Sequence, residues 1–519
     1  MIEKLGFRGF QSFGLEQSIE LRPLTLLFGP NSSGKSSVGR LLRMLKQSAN
    51  GPGGIQYVGS EVDLGSFPEV LFRKAAATEA NLKIDLQMSR PKTEVEVRLR
   101  ARAGRSSRLQ TRAIIGPCSM SMVFDYENTD FPRSLVITQS LIGDLNDGKV
   151  QFEFDLSEET ISLSSMMFFD LDWLLQDLLV GSIPNGHNLA HDPSKLEFKD
   201  ADQPNNVITS FEEVLSHFKF ELRIGGFNRG GPHIIPRLKS LGPWGPLLIH
   251  QFIDELLLRS ADLLNENLSR FQYFGPLRQV SAQYVPPAGR SVQVAPDASN
   301  IQEHLVSIED SRFDVLSHDL FKLTNENFSL VKEEVPSGVT GIAGRQQVFL
   351  LDHNSDTRVS FANSGTGLSQ VLPLMAGLMA MGGNRSPKPR GNTRINFRSE
   401  VTRGAGMVFI EQPELHLHPA MQAELGDYLL ENTADPQEPG QVGGDKPFVI
   451  CETHSEAMLM RIERRIREGK YLPDKVAIYC VDRMPASNSS YLSMRELTEQ
   501  GSYTLPWPLS FASVRAQED

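Results

Sequence analysis

Eight consecutive residues, Gly29-Pro30-Asn31-Ser32-Ser33-Gly34-Lys35-Ser36, satisfy the pattern G-x-x-x-x-G-K-[ST]. Each residue type has a chemical task in that pattern. The glycines let backbone N–H groups turn inward around an anion, and the N-terminus of a following helix adds partial positive charge. The Lys35 ammonium can reach the β- and γ-phosphates, and the Ser36 hydroxyl can sit on Mg2+. Asn31, Ser32, Ser33, Gly34, Lys35, Ser36 and Ser37 are therefore the candidate nucleoside triphosphate contacts.

Three further stretches share this logic. Val408-Phe409-Ile410-Glu411 is an apolar run ending in a carboxylate, the layout that holds Mg2+ opposite a phosphate-loop serine, so Ser36 and Glu411 are the candidate metal ligands. Gln412, Pro413 and Glu414 follow it, then His416-Leu417-His418-Pro419. His416 and His418 also have the look of a metal pair, but no third ligand stands at a sensible spacing. Glu452-Thr453-His454-Ser455-Glu456 closes another apolar run, and its position aims His454 at a γ-phosphate. Asn363-Ser364-Gly365-Thr366-Gly367-Leu368-Ser369-Gln370 is a second glycine loop entering an apolar helical run. A lone S-G-x-G says little; the order of all four stretches is the specific signal.

The elements that must position these residues are legible around them. Leu24–Phe28 reads as a buried parallel strand and Val38–Lys46 as a helix, the flanks a phosphate loop requires. Residues 1–23 read as two short strands. Between 81 and 160 the segments LKIDLQM, EVEVRLRAR, SMVFDY, SLVITQSL and KVQFEFDL alternate as strands do, and 161–243 read as mixed with loops. Residues 247–271 carry apolar positions at helical spacing over about seven turns, without the sustained heptads of a long coiled coil. A strand into a Gly-Pro turn is expected at 271–278, helix over 299–330 and a hairpin over 345–361 turning at 352–356. Strands follow at 406–411, 447–454 and 475–482, with a helix from near Pro419 and a polar loop over 434–446. In a doubly wound sheet the ends of such strands open on one ligand-binding edge.

The chain has 519 residues, 40% of them hydrophobic and 22% charged, the balance of a globular protein with a sizeable core. Cys118, Cys451 and Cys480 stand far apart, against a disulfide framework or zinc site and in keeping with a reducing cytoplasm. No apolar run reaches the roughly 18 residues that span a bilayer, and the start lacks a signal-peptide core, so a cytoplasmic protein without membrane contact is expected. The formal net charge of −11 does not advertise nucleic-acid binding. Two arginine-rich stretches, 89–112 and 384–403, run against that total. A phosphate backbone and a solvated surface account for them equally well.

The order of the motifs resembles an ABC-type ATPase head of the SMC, RecF and OLD kind. GPNSSGKSS matches the Walker A motif, SGTGLSQ the signature loop, FIEQPE Walker B, HLHP the D-loop position and THSE the H-loop, while KLGFRGFQSF resembles the first strand of RecF and SMC heads. DLGSF, YFGPLR, IEQPELHLHP, CETHSE and the terminal WPLSF together resemble the bacterial stand-alone predicted AAA-type ATPases with a C-terminal domain of unknown function. That resemblance implies an α/β P-loop NTPase head of ABC type, a mixed sheet flanked by helices, with an inserted β-rich and helical lobe and no long coiled coil. The implied division is 1–75 and 271–482 for the two halves of the head, 76–270 for the lobe and 483–519 for a small tail.

The resemblance also implies a mechanism. Two copies pair head to tail on Mg-ATP, each ATP lying between the phosphate loop of one and Ser364, Gly365 and Gly367 of the other. Catalysis would fall to Glu411, Gln412, Glu414 and His454. One departure matters: the residue after the metal carboxylate is Gln412 where such heads carry a glutamate, and an amide orients water but accepts no proton. Either Glu414 or a partner supplies the base, or turnover is slow. Similar ATPases often sit in bacterial anti-phage systems, which implies an effector protein as partner; the alternative is a RecF-type repair ATPase acting directly on DNA. An OLD-like nuclease fits poorly, because Asp482 stands without a D-x-D partner after His454.

Overall fold

The computed structural model describes residues 2–50, 54–72, 81–88, 93–99, 109–125, 129, 132–143, 147–155, 160–166, 198–199, 207–208, 220–225, 233–238, 263–276, 299–335, 345–381, 406–433 and 446–505. The chain divides into two compact units: Met1–Ser18 with Leu42–Ser269 and Pro387–Gly404, and Ile19–Leu41 with Arg270–Ser386 and Ala405–Asp519.

In the first unit β1 (Ile2–Arg8) pairs antiparallel with β4 (Leu82–Met88), β4 with β6 (Leu109–Phe124), and β6 with β7 (Ser134–Gly143). The sheet continues through β8 (Asp147–Asp155) to β9 (Thr160–Met166), while β5 (Thr93–Leu99) also pairs β6 and β2 (Gln17–Glu20) lies beside β1. Alternation along β4 buries Leu82, Ile84, Leu86 and Met88, the one-sided pattern of an antiparallel sheet. Phe7, Phe10 and Phe13 of the opening GFRGFQSF are fully buried, with the Phe7 and Phe13 rings edge to face at 5.1 Å. Two further hairpins join β10 (Phe198–Lys199) to β11 (Val207–Ile208) and β12 (Phe220–Gly225) to β13 (His233–Leu238). The short helix α2 (Phe67–Val70) closes the DLGSF stretch with a capping box between Ser66 and Glu69.

In the second unit β3 (Leu24–Phe28) is central to a six-stranded mixed sheet of order β14-β18-β19-β3-β20-β21. Its strands are β14 (Phe271–Phe274), β18 (Met407–Glu411), β19 (Phe448–Thr453), β20 (Val476–Arg483) and β21 (Ser490–Arg495). All neighbours are parallel except β20 and β21. Every residue of β3, β18 and β19 is buried, which is why these strands read as unbroken apolar runs. A smaller sheet of β15 (Phe328–Val335), β16 (Arg345–Asp352) and β17 (Thr357–Val359) accompanies α3 (Ile301–Ser307) and α4 (Asp310–Leu323). The loop helix α1 (Lys35–Asn50) approaches β18 closely: a Cβ on Gly39 would lie 2.6 Å from the Phe409 ring. Helix α5 (Thr366–Met381) is buried continuously from Gln370 to Leu378 and forms the heart of the core, touching Phe274 at Gly377. Helices α6 (Pro419–Glu431) and α7 (Glu456–Arg467) are tied by Arg461 and Arg465 on Asp427, with Arg461 also on Glu424. This is the expected α/β phosphate-loop head with a β-rich insertion. The longest named helices, α1 and α5, have 16 residues each, so no long coiled coil occurs among the described residues.

Several elements differ from the sequence expectation. Residues 328–330 open β15 rather than prolonging a helix, because Phe328–Val335 pairs along its whole length with β16. β6 begins twelve residues before the expected SMVFDY strand, at Leu109, and passes Gly116-Pro117 through a register shift between Ile115 and Cys118; proline has no N–H for the ladder and a bulge absorbs it. β9, β12 and β13 occupy segments read as mixed and looped, and β21 was not foreseen at all. Of the expected helix over 247–271, residues 263–269 are helical and 247–262 lie outside the described residues. The polar loop at 434–445, Leu277-Arg278, the stretch 384–403, most of 89–112 and the WPLSF tail lie outside them as well.

Candidate nucleotide site

The phosphate loop is shaped by its own backbone and by β20 and β21. Ser32 and Gly34 take left-handed φ values of +61° and +109°, the alternation that points successive N–H groups to one side. Gly29 has no room for a side chain, since a Cβ would stand 2.3 Å from the Val481 carbonyl. Arg483 donates to the Ser32 carbonyl at 2.6 Å, and the Ser490 hydroxyl donates to the Ser33 carbonyl. Asn31 and Ser32 are exposed, whereas Ser33 and Ser37 are buried and the Ser37 N–H donates to the Gly34 carbonyl at 3.0 Å. The Ser33 hydroxyl oxygen is buried without a hydrogen-bond partner. Lys35 is 3% exposed; its ammonium donates to the Gly29 and Pro30 carbonyls at 2.9 and 2.8 Å. Burial lowers its pKa, and the charges of Glu452, Glu414 and Glu411 oppose that shift.

The parallel register places Glu411 of β18 opposite Glu452 of β19, and Glu452 in turn opposite Leu27 of β3. Both carboxylates are buried. Glu452 Oε2 accepts the Ser36 hydroxyl at 2.7 Å, and its Oε1 is 3.9 Å from the Lys35 ammonium. The carboxylate that meets Ser36 thus belongs to the strand beside β3, and Glu411 stands one strand further out. Burial raises the pKa of Glu452 against the pull of Ser36 and Lys35. Gln412 leaves β18 with φ +43°, and its N–H donates to the Glu452 carbonyl at 2.8 Å. Glu414 is buried; Oε1 accepts the His454 N–H at 2.7 Å and Oε2 has no hydrogen-bond partner. Burial raises its pKa too. Burial, with help from Lys35, holds His454 down at about 4, so its imidazole is neutral near pH 7, and Nε2 is buried without a hydrogen-bond partner.

The second glycine loop has other surroundings. The Ser364 hydroxyl donates to the Phe361 carbonyl at 2.8 Å, and Gly365 and Thr366 are exposed. A Cβ on Gly365 would meet nothing within 4 Å, but on Gly367 it would lie 2.8 Å from the His416 carbonyl. His418 caps α6, its Nδ1 accepting the Ala420 N–H at 3.4 Å, and His416 holds a left-handed turn at φ +65°. The cap accounts for the His418 imidazole.

Lys35, Ser36, Glu411, Glu414, Glu452 and His454 are brought together at the C-terminal edge of three neighbouring strands, where an α/β sheet binds its ligand. Sequence reasoning missed three contributors. Glu452 carried the same signal as Glu411, a carboxylate ending an apolar run; Arg483 and Ser490 carried none. The donors are hydroxyl and carboxylate oxygens, which fit Mg2+. Among the described residues no three His, Cys, Asp or Glu side chains form a metal cage, and Mg2+ on a phosphate loop takes its remaining ligands from phosphate and water. No described helix is long and apolar enough to cross a membrane.

The sequence profile of a family described as "AAA domain, putative AbiEii toxin, Type IV TA system" matches residues 135–460, more than half of the chain. No curated protein matches. Among solved structures the chain is similar to an SMC head bound to the C-winged helix domain of ScpA, at 10% identity over 96% of this chain and 98% of that one, with a TM-score of 0.37. The SMC head domain from Thermotoga maritima matches at 10% identity over 96% and 99%, TM-score 0.34. An Smc head with an extended coiled coil, bound to the C-terminal domain of ScpA derived from Pyrococcus furiosus, matches at 12% over 100% and 98%, TM-score 0.33.

Proposed function

The chain belongs to the AAA-domain family described as putative AbiEii toxin, type IV TA system, and from that premise we propose a Mg2+-dependent ATP hydrolase that associates head to tail with a second copy of itself when ATP is bound. The observation that carries the reading is the convergence of Lys35, Ser36, Glu411, Glu414 and His454 on one edge of the sheet. The loop N–H groups and Lys35 bind the phosphates; Lys35 exchanges the Gly29 and Pro30 carbonyls for phosphate oxygens. Ser36 and Glu411 would hold Mg2+, which would offset the charge of the transferred phosphoryl group.

Gln412 orients the attacking water, and Glu414 takes its proton. A buried carboxylate with raised pKa is a better base than a solvated one, because the most effective pKa lies near the working pH. Neutral His454 is available to hydrogen-bond the γ-phosphate. The open space around Gly365 suits a turn that closes on the ATP of another copy. ATP held in common favours the paired state and its hydrolysis releases it. We extend the proposal to an effector protein gated or driven by this cycle, in bacterial anti-phage defence. The motif resemblance and the toxin named in the family's description support that step.

Steady-state ATP turnover and mass in solution, with and without Mg-ATP, test the proposal on wild type and Lys35→Ala. The expected result is ATP-induced association with measurable turnover, both lost in the variant. A wild type indifferent to nucleotide overturns the reading, and association without turnover removes hydrolysis from it.

A further inference from the structure

We propose that Glu452 is the positioning residue that turns the Ser36 hydroxyl toward Mg2+, an assignment that rests on the ATPase reading and deepens it. A serine hydroxyl has one proton and two lone pairs. In the structure that proton is committed to Glu452 Oε2 at 2.7 Å, which leaves both lone pairs for a cation. Glu452 is itself held from every side. Its strand pairs with β18 and β3, its carbonyl accepts the Gln412 N–H, and its side chain is 6% exposed. The orientation of Ser36 is therefore set by β19, 416 residues away in the chain, and not by the loop alone. Glu411, on the next strand, is the carboxylate proposed above for the metal.

A competing role for the same side chain is purely ionic, as a buried counter-charge for Lys35 at 3.9 Å. Two variants separate the roles. Glu452→Asp keeps the charge but withdraws the carboxylate by one methylene from Ser36; Glu452→Gln keeps length and an acceptor oxygen but loses the charge. The readout is the Mg2+ concentration that gives half-maximal binding of a fluorescent, non-hydrolysable ATP analogue, with Mg2+-free binding in EDTA as reference. Partners that orient a metal ligand typically carry about 10–100-fold in metal affinity. Glu452→Asp is expected to raise the required Mg2+ by about that factor with EDTA binding unchanged, and Glu452→Gln by less. Combined with Ser36→Ala, Glu452→Asp should add no further shift.

A wild-type Mg2+ requirement in Glu452→Asp, a larger shift in Glu452→Gln than in Glu452→Asp, or additivity with Ser36→Ala overturns the assignment. Should Glu452→Asp fail to fold, as its thermal melt would reveal, Glu452→Gln with Ser36→Ala gives the same cycle and additivity is again the overturning result. A wild type that binds no nucleotide overturns the ATPase reading and this assignment together; a wild type that binds, with variants unshifted, overturns the assignment alone.

Discussion

Two glycine loops lead into helices in this protein, and they are built to opposite ends. The phosphate loop before α1 is gripped from one side while Pro30, Asn31 and Ser32 stay exposed: Gly29 abuts the Val481 carbonyl, Lys35 is 3% exposed, and Arg483 and Ser490 hold its carbonyls from β20 and β21. The turn before α5 is open, with Gly365 and Thr366 exposed and no atom within 4 Å of a Cβ on Gly365. Its other glycine, Gly367, is packed against the His416 carbonyl and is required by the fold. Nothing within the described residues requires Gly365. Gly365 is where the proposed second copy would come close.

The comparison breaks first at the phosphate loop. Lys35→Ala should lower turnover by about 10²–10³-fold, the usual scale for removing a preorganised charge from a developing one; steady-state kinetics at saturating ATP reads it, and a fall below tenfold would dissociate Lys35 from the chemistry. Next, Glu414→Gln should lower turnover by about 10²-fold or more while ATP-induced association in a mass measurement persists. Turnover unchanged in that variant removes Glu414 from the role of base.

The two glycines of the open turn should then part company. Gly367→Ala is expected to cost about 1–3 kcal/mol in chemical denaturation, because the added carbon must displace the His416 backbone. Gly365→Ser should change stability by less than about 0.5 kcal/mol yet weaken ATP-induced association, and if it associates like wild type the turn is not the contact.

The smallest effect concerns His454. Its folded pKa of about 4 lies below the ordinary 6.5, so the unfolded chain binds the proton first. The stability this residue contributes is complete above about pH 6.5 and is lost as pH falls toward 4. Urea midpoints at pH 7.5 and 4.5 should therefore fall further for wild type than for His454→Gln. Equal falls would mean that the imidazole takes a proton as freely in the folded protein as outside it.

Legibility in the sequence followed burial on both faces of an element. β3, β18, β19 and most of β20 are apolar on both sides because the sheet is covered on both sides, so their bounds could be read within a residue or two. β9, β12, β13 and β21 carry weaker alternation, and the pairing with a neighbouring strand is what makes each of them a strand. Residues 328–330 followed the helix before them in pattern and the strand β16 in fact. At the site, Lys35, Ser36, Glu411, Glu414 and His454 were named from motif chemistry, and the structure brings them to one edge of the sheet.

The sequence by itself determined that a phosphate loop exists and that carboxylates end the strands around it. Glycines, a lysine and a serine at fixed spacing are a local requirement, and so is a carboxylate closing an apolar run, although Glu411 and Glu452 are themselves buried. Which carboxylate meets which loop residue was decided by the tertiary structure alone. Strand order inserts β19 between β18 and β3, so Ser36 meets Glu452 and Gln412 is tied to the Glu452 carbonyl. The clasp of Arg483 and Ser490 on the loop likewise needs the β20–β21 hairpin beside it. Contacts between residues more than 400 positions apart have no local pattern to announce them, since they arise only when the strands are laid side by side.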